Sequence, residues 1–274
     1  LSRKFEVKDL GELTSFLGVQ IKHDSNRIWI GQPGYVTRVL DKFKFGMTDA
    51  KPISTPVDVS SKLQTESERP TVDQPQYQSA VGCLLYLSNW TRPDITFAVN
   101  NAAKYTSNPS KEHWTAVKRI LRYLKGTANY GINYMNDSSD DIVGYCDADW
   151  AGDVNDRKST SGYVFSLSGS PISWRSRKQT CVALSTAEAE YVALAAAAQE
   201  SVWMVNLLKD IDGERKHATV IYDDSQAAIA MSKNPQFHGR AKHIAIKFHY
   251  IREQVERGKI QLKYCPTANM HADI

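Results

Sequence analysis

IVGYCDAD, residues 142–149, is the stretch around which the fold is organised. Val143 and Tyr145 alternate within a β-compatible run, which predicts a strand. Its apolar side needs a core, while its end presents Asp147 and Asp149, with Asp147 on the side of Val143 and Tyr145. More acids follow downstream: Glu188 and Glu190 in LSTAEAEYVALAAAA, Asp223 and Asp224 after ATVIY, and Asp273 closing YCPTANMHAD. Acids at the ends of four separate elements suit a divalent-metal cage that no single loop would hold.

Working outward, the pattern predicts strands over 142–148, 162–168, 171–175 and 180–184, a helix over 187–208, a strand over 218–222, helices over 225–232 and 242–256, and a strand over 259–264. The start of another helix is expected at the end of the chain. Leading strands followed by helix, strand, helix, strand and helix indicate a mixed sheet covered by helices, an α/β domain. Glu188 and Glu190 are two apart and cannot face one point from a helix. Glu190 shares its side with Leu194 and Ala197, and small Ala193 and Ala197 permit close approach to the sheet; Glu188 is left to face water or to cap the helix after Ser185-Thr186. Asp224 stands at a strand-to-helix turn, where ligands gather in α/β sheets, with Asp223 as its rival.

Upstream, segments 16–24 and 27–31 read as a hairpin around Ser25-Asn26, and YVTRVLDKF as a helix that stops by Gly46. Residues 49–75, rich in Pro, Ser and Thr, read as a long surface loop. YQSAVGCLLYLSNW and PDITFAVNNAAKY have helical spacing on either side of Thr91-Arg92-Pro93. In KEHWTAVKRILRYLK, Trp114, Val117, Leu121 and Leu124 share one side, while Lys111, Lys118, Arg122 and Lys125 form a neighbouring stripe suited to a phosphate backbone. YGINY is a short strand, and the polar run after it is the linker to a second domain.

The chain has 274 residues, 42% hydrophobic and 23% charged, enough for two cores and too apolar for general disorder. Residues 1–135 carry 18 Lys or Arg against 12 Asp or Glu, and residues 136–274 carry 16 against 18. That asymmetry fits a polyanion held by the first half and metal ions held by the second. Cys83, Cys146, Cys181 and Cys265 are widely spaced in apolar contexts, which predicts free thiols in a reducing compartment. No run of about 18 apolar residues occurs, and the first residues resemble no signal peptide. The expected setting is soluble and intracellular, without a membrane.

VGYCDADWAGDVNDRKSTSGYVF, ISWRSRKQTCVALSTAEAEYVALAAAAQE, IYDDSQAAI, AKHIAIKFHYIRE and YCPTANMHAD together resemble the ribonuclease H domain of copia-type retrotransposon polyproteins, over nearly all of residues 142–274. GELTSFLGVQI, TRPDITFAVN and HWTAVKRILRYLKGT resemble the end of the same family's reverse transcriptase. The resemblance implies a palm end with a primer-grip-like hairpin over 1–32, a mostly helical thumb-like domain over 33–135, a linker over 136–141 and an α/β ribonuclease H-like domain over 142–274. By resemblance, Glu190 and Asp224 join Asp147 around one Mg2+ and Asp273 joins it around a second, with Mn2+ able to substitute. The implied activity is cleavage of the RNA strand of an RNA/DNA hybrid beside the remainder of the reverse transcriptase, in a cytoplasmic particle or the nucleus.

Measured against the family pattern, the chain starts downstream of the polymerase Tyr-x-Asp-Asp strand, so DNA synthesis is not expected of it alone. It stops just after the fourth acid. His243 and His249 are six apart on a helix, a poor interval for shared metal ligation, and read as structural or substrate-facing. His271 is expected to point away from Asp273. The alternative function is a noncatalytic nucleic-acid-binding fragment or a host-retained relic. An integrase-type recombinase is disfavoured because it usually needs only three acids.

Overall fold

The first sheet begins with β1 (Ser15–Phe16), β2 (Val19–His23) and β3 (Arg27–Gly31), and the hairpin expected around Ser25-Asn26 is present. In this computed structural model residues 8, 11–43, 50–58, 60, 62–65, 72–136, 141–213, 217–233 and 242–273 are described. The expected linker 136–141 lies mostly outside them, and so does the side chain of His243. β3 also pairs antiparallel with β4 (Gly131–Met135), the YGINY strand, so the sheet order is β1-β2-β3-β4 and joins the hairpin to the far end of the helical half.

Between β3 and β4 lie α1 (Pro33–Lys42), α2 (Gln74–Trp90), α3 (Thr96–Ala103) and α4 (Lys111–Gly126). Pro33 starts α1, where its missing N–H costs nothing. Ser110 caps α4 by accepting from the His113 N–H, while His113 Nδ1 accepts from the Ser110 N–H at 2.9 Å. Val117, Leu121 and Leu124 are buried as the helical spacing predicts, and pack with Tyr77, Leu84, Leu87 and Ile95 into one core. Each such side chain contributes roughly 1.5–3 kcal/mol of burial.

The second sheet has the order β7-β6-β5-β8-β9, from β5 (Val143–Asp149), β6 (Thr160–Leu167), β7 (Ser170–Lys178), β8 (Thr219–Asp223) and β9 (Ile260–Tyr264). β5, β6 and β7 are antiparallel, whereas β8 runs parallel to both β5 and β9. α5 (Thr186–Asp212), α6 (Gln226–Lys233) and α7 (Lys242–Glu256) complete this half, giving the expected mixed sheet with helices. α5 packs on β5 through Tyr191, Ala193, Leu194 and Ala197, all with no exposed surface.

Three expectations change. The fully buried side of β5 carries Gly144, Cys146 and Ala148, not Val143 and Tyr145, which are half-buried. Gly144 permits this, because a Cβ there would lie 2.3 Å from the Phe165 ring. Residues 180–184 are not a strand: the Ala183 carbonyl accepts from the Trp150 indole at 3.1 Å, and the chain turns into the α5 cap. At the chain end a single 3-10 turn, Thr267–Asn269, replaces the expected helix start. Met270 and Ala272 then bury themselves against Tyr145, Val164 and Tyr222 on the second face of the sheet.

The halves are tied together by polar contacts. The side chain of Asp153, 2% exposed, accepts from Lys178 of β7 at 2.8 Å and from Lys104, just past α3, at 3.2 Å. Asn155 donates to Tyr105 Oη and accepts from the Thr65 N–H. The Trp174 indole donates to the Ser88 carbonyl at 2.7 Å.

Candidate active site

Asp147 ends up at the site because β5 carries it to the end of a central strand. Glu190 arrives from the first turns of α5, and Asp224 follows β8, the parallel neighbour of β5. These three carboxylates lie within 4.8 Å of one another. Asp273 is exposed and falls outside that set. It is nevertheless close enough for its charge to act on Asp147, delivered there by the terminal segment, whose Ala272 carbonyl crosses Gly162, the β6 partner of Asp147.

The neighbouring acids separate by direction. Glu188 Oε2 accepts from the Leu184 N–H at 2.8 Å while Ser185 Oγ accepts from the Glu188 N–H, so Glu188 caps α5. Asp223 is fully buried, accepts from the Ser225 N–H at 2.7 Å and from the Cys146 thiol at 3.5 Å, and faces inward. Asp224 Oδ2 accepts from Thr267 Oγ1 at 2.5 Å, which ties it to the terminal segment. The Asp149 carboxylate folds back over Gly152, leaving no room there for a Cβ.

Electrostatics mark the cluster. Burial, then the charges of Asp273 and Asp224, push Asp147 up to about 6. Burial and the charges of Asp147, Asp223 and Asp224 push Glu190 up to about 9, and Asp223, mainly through burial, rises to about 7. Glu190 Oε2 is a buried oxygen with no hydrogen-bond donor among the described residues. An all-oxygen, mutually repelling donor set with an orphaned buried lone pair fits a hard divalent cation.

The cations of α4 have other employment. Arg122 Nε donates to the Lys51 carbonyl at 2.8 Å and Lys125 Nζ to the Ala50 carbonyl at 3.2 Å, while Arg119 reaches Thr55 and Asp58. His113 and Tyr105 hold the carbonyls of Gln64 and Leu63. Residues 50–65 of the expected surface loop, as far as described, are thus strapped along α4. Lys111 and Lys118 line the cavity of about 550 Å³ between strap and helix.

Sequence reasoning missed Asp153, whose partner Lys104 is 49 residues away, and Trp150, exposed on the turn after β5. It also missed the stack of His271 on Tyr145, with ring centroids 4.4 Å apart. His249 is exposed. All four cysteines are free, as their spacing predicts. Among the described residues no helix is long and apolar enough to cross a membrane.

Residues 1–59 match the family model for reverse transcriptase (RNA-dependent DNA polymerase). Over 283 residues the chain is 43% identical to the retrovirus-related Pol polyprotein from transposon TNT 1-94 of Nicotiana tabacum, covering 100% of this chain and 21% of that one. It therefore spans about a fifth of that relative's length. A foamy viral protease–reverse transcriptase in complex with double-stranded DNA aligns with 93% of this chain and 38% of its own, at 16% identity and a TM-score of 0.51, a likeness of fold. The N-terminal RNase H domain of a Mycobacterium tuberculosis protein covers 49% of this chain and 89% of its own, at 15% identity and a TM-score of 0.37.

Proposed function

Because the chain belongs to the retrovirus-related Pol polyproteins of transposons, we propose that its sheet half, which has the ribonuclease H-like fold, cuts the RNA strand of RNA/DNA hybrids as part of a reverse transcriptase. The observation that carries this reading is the meeting of Asp147, Glu190 and Asp224 within 4.8 Å, with Asp273 acting on Asp147 from the chain end. When bound there, two magnesium ions supply an activated water and neutralise the charge that develops on the leaving oxygen. Asp147, Glu190 and Asp224 would hold one ion, and Asp147 with Asp273 would hold the other. Thr267 fixes the Asp224 carboxylate, and Glu188 keeps the first turn of α5 in place for Glu190. Manganese, which accepts the same oxygen ligands, substitutes.

In this reading residues 1–32 end the polymerase palm with a primer-grip-like hairpin, 33–135 form the thumb, 136–141 the linker and 142–274 the nuclease. The hybrid lies across both halves, with Lys111 and Lys118 of the α4 stripe toward its phosphates and Arg122 and Lys125 holding the strap beside it. The remainder of the reverse transcriptase is the protein partner, in a cytoplasmic particle or the nucleus. A noncatalytic nucleic-acid-binding role is the second reading. The exposure of Asp273, outside the three-acid set, favours it, because a loosely held ligand weakens the second ion.

The deciding experiment incubates the chain with labelled RNA/DNA hybrid, double-stranded RNA and double-stranded DNA in magnesium and in manganese, beside D147N and D224N. Cleavage of the hybrid alone, lost in both variants, is expected. Hybrid binding without cleavage in either metal would select the noncatalytic reading.

A further inference from the structure

Where the first turns of α5 meet the sheet, the buried apolar contact is a cluster of alanines. Ala189 and Ala193 of the helix pack with Ala148 of β5 and Ala183 of the segment before the helix. Contacts between methyl groups have no preferred direction, so this patch brings α5 close without fixing how far the helix slides or turns. Gln179, the residue after β7, supplies the direction. It is buried, with 6% of its surface exposed. Its Nε2 donates to Ser161 Oγ of β6 at 2.8 Å and to the Ala189 carbonyl of α5 at 2.9 Å, which uses both amide protons. The Gln179 N–H donates to the Ser159 carbonyl at 2.8 Å, so the side chain starts from backbone that is itself held by the sheet. Ser161 is the β6 partner of Ala148, the residue after Asp147, and Ala189 is the residue before Glu190. One amide thus spans from the strand paired beside Asp147 to the helical turn that carries Glu190. Gln179 Oε1 is buried with no hydrogen-bond partner among the described residues. An unsatisfied buried acceptor destabilises a fold, so a side chain that only filled space here would be apolar. The two donated bonds are what account for an amide at this position.

We infer that Gln179 is a positioning residue for Glu190: it sets the slide and rotation of α5 on the sheet, and with them the distance from the Glu190 carboxylate to those of Asp147 and Asp224. This deepens the nuclease reading above and rests on it for any effect on cleavage. A side chain stands about 5–6 Å from the helix axis, so a rotation of about 10° carries its end roughly 1 Å. Groups that hold a metal need placement within about 0.5 Å, and an error of about 1 Å costs about 10²-fold in rate. The alanine patch tolerates such a rotation, whereas the hydrogen bond from Gln179 to the Ala189 carbonyl does not.

The test measures Mn2+ binding to the full chain by isothermal titration and, separately, the Mg2+ dependence of hybrid cleavage. Gln179→Met and Gln179→Leu both remove the donated bonds, and methionine also keeps the length of the side chain. Each is expected to weaken Mn2+ binding about tenfold, the low end for loss of a group that orients a metal ligand. The Mg2+ concentration needed for cleavage should rise by the same factor, with the KM for hybrid within about twofold. Ser161→Ala keeps the bond to Ala189 and should bind Mn2+ as the unsubstituted chain does. In an E190Q background Q179M should cause no further loss, because a helix without the ligand gains nothing from being placed. A tenfold loss in Q179M that vanishes in E190Q upholds the assignment even if no variant cleaves, an outcome that would remove only the nuclease reading. Unchanged Mn2+ affinity in Q179M and Q179L, an equal loss in the E190Q background, or an equal loss in S161A would overturn it.

Discussion

At the end of β5 a buried oxygen of Glu190 has no donor among the described residues, whereas on α4 Arg122 and Lys125 already donate hydrogen bonds to the carbonyls of Lys51 and Ala50. Sequence reasoning treated the two surfaces alike, as charges gathered for a ligand. In the fold, the acids crowd together until their mutual repulsion and burial raise Asp147 to about 6 and Glu190 to about 9. On the helix, Arg119, Arg122 and Lys125 find hydrogen-bond acceptors within the chain itself. Charge left uncompensated at a folding cost points to an absent counter-ion, while charge compensated internally points first to architecture.

The sharpest break between the surfaces should come from removing one acid. Asp147→Asn or Glu190→Gln is expected to lower hybrid cleavage at least about 10³-fold, some 4 kcal/mol at 1.36 kcal/mol per tenfold. Asp147→Asn should also raise the metal-free melting temperature at neutral pH, because it removes a charge that repels its neighbours. Single-turnover assays and thermal unfolding in chelator check both, and a variant that loses stability together with activity would undo the contrast.

Proton linkage gives the next largest effect. A cation must displace the protons that Glu190 and Asp147 hold, so magnesium affinity should fall by about tenfold per pH unit as pH drops from about 9 toward 6, and more steeply below 6. Isothermal titration in buffers of different ionisation enthalpy counts the protons released. An affinity flat over this range would mean the acids are not the ligands.

Asp153 supplies a third test with the opposite sign. Burial raises its pKa, but the hydrogen bonds from Lys178, the Asn155 backbone and Lys104 outweigh that and hold the carboxyl well below the usual carboxylate range. Its stabilisation is therefore complete above the unfolded-state value of about 3.9 and is lost as pH falls through the folded value. Asp153→Asn should cost about 2–3 kcal/mol at pH 7, toward the low end for a broken buried pair because both lysines keep some exposure. The difference from the unsubstituted chain should shrink in acid, which denaturant titrations at pH 7 and pH 3 would show.

The smallest effects belong to α4. Arg122→Ala should cost about 1 kcal/mol through the strap hydrogen bond and scarcely change the salt dependence of hybrid binding. Lys118→Ala should leave stability within about 0.5 kcal/mol and reduce the salt slope by about one. Filter binding across a salt series separates them. A large slope change in R122A would show that nucleic acid displaces the strap.

Most of the architecture was legible because it depends on local patterns. The alternation in IVGYCDAD, the heptad-like spacing of Val117, Leu121 and Leu124, and Ser185 ahead of the alanine-rich run each determine an element. Asp147 and Asp149 share one strand parity, so only the expected end of the strand favoured Asp147, while helix angle separated Glu190 from Glu188. What escaped depends on partners distant in sequence. Nothing near Lys104 announces Asp153, and nothing in KPISTPVD announces that α4 will hold it. The core side of β5 was misjudged because Gly144 and Cys146 look weakly apolar beside Val143 and Tyr145. In the fold the small residues are the ones that let α5 and the Phe165 ring come close.

The pairing of β3 with β4 also constrains the order in which this protein can fold. Gly31 meets Gly131 across that ladder, so a strand near the start of the chain waits about 100 residues for its neighbour. During synthesis the hairpin leaves the ribosome ahead of its partner, with the open edge of β3 unprotected until α1 to α4 and then β4 have followed. Such a long-range closure slows folding and exposes a sticky edge in the interval. Completion of this sheet therefore signals that the whole helical half has been made before the acid-bearing strand begins to form.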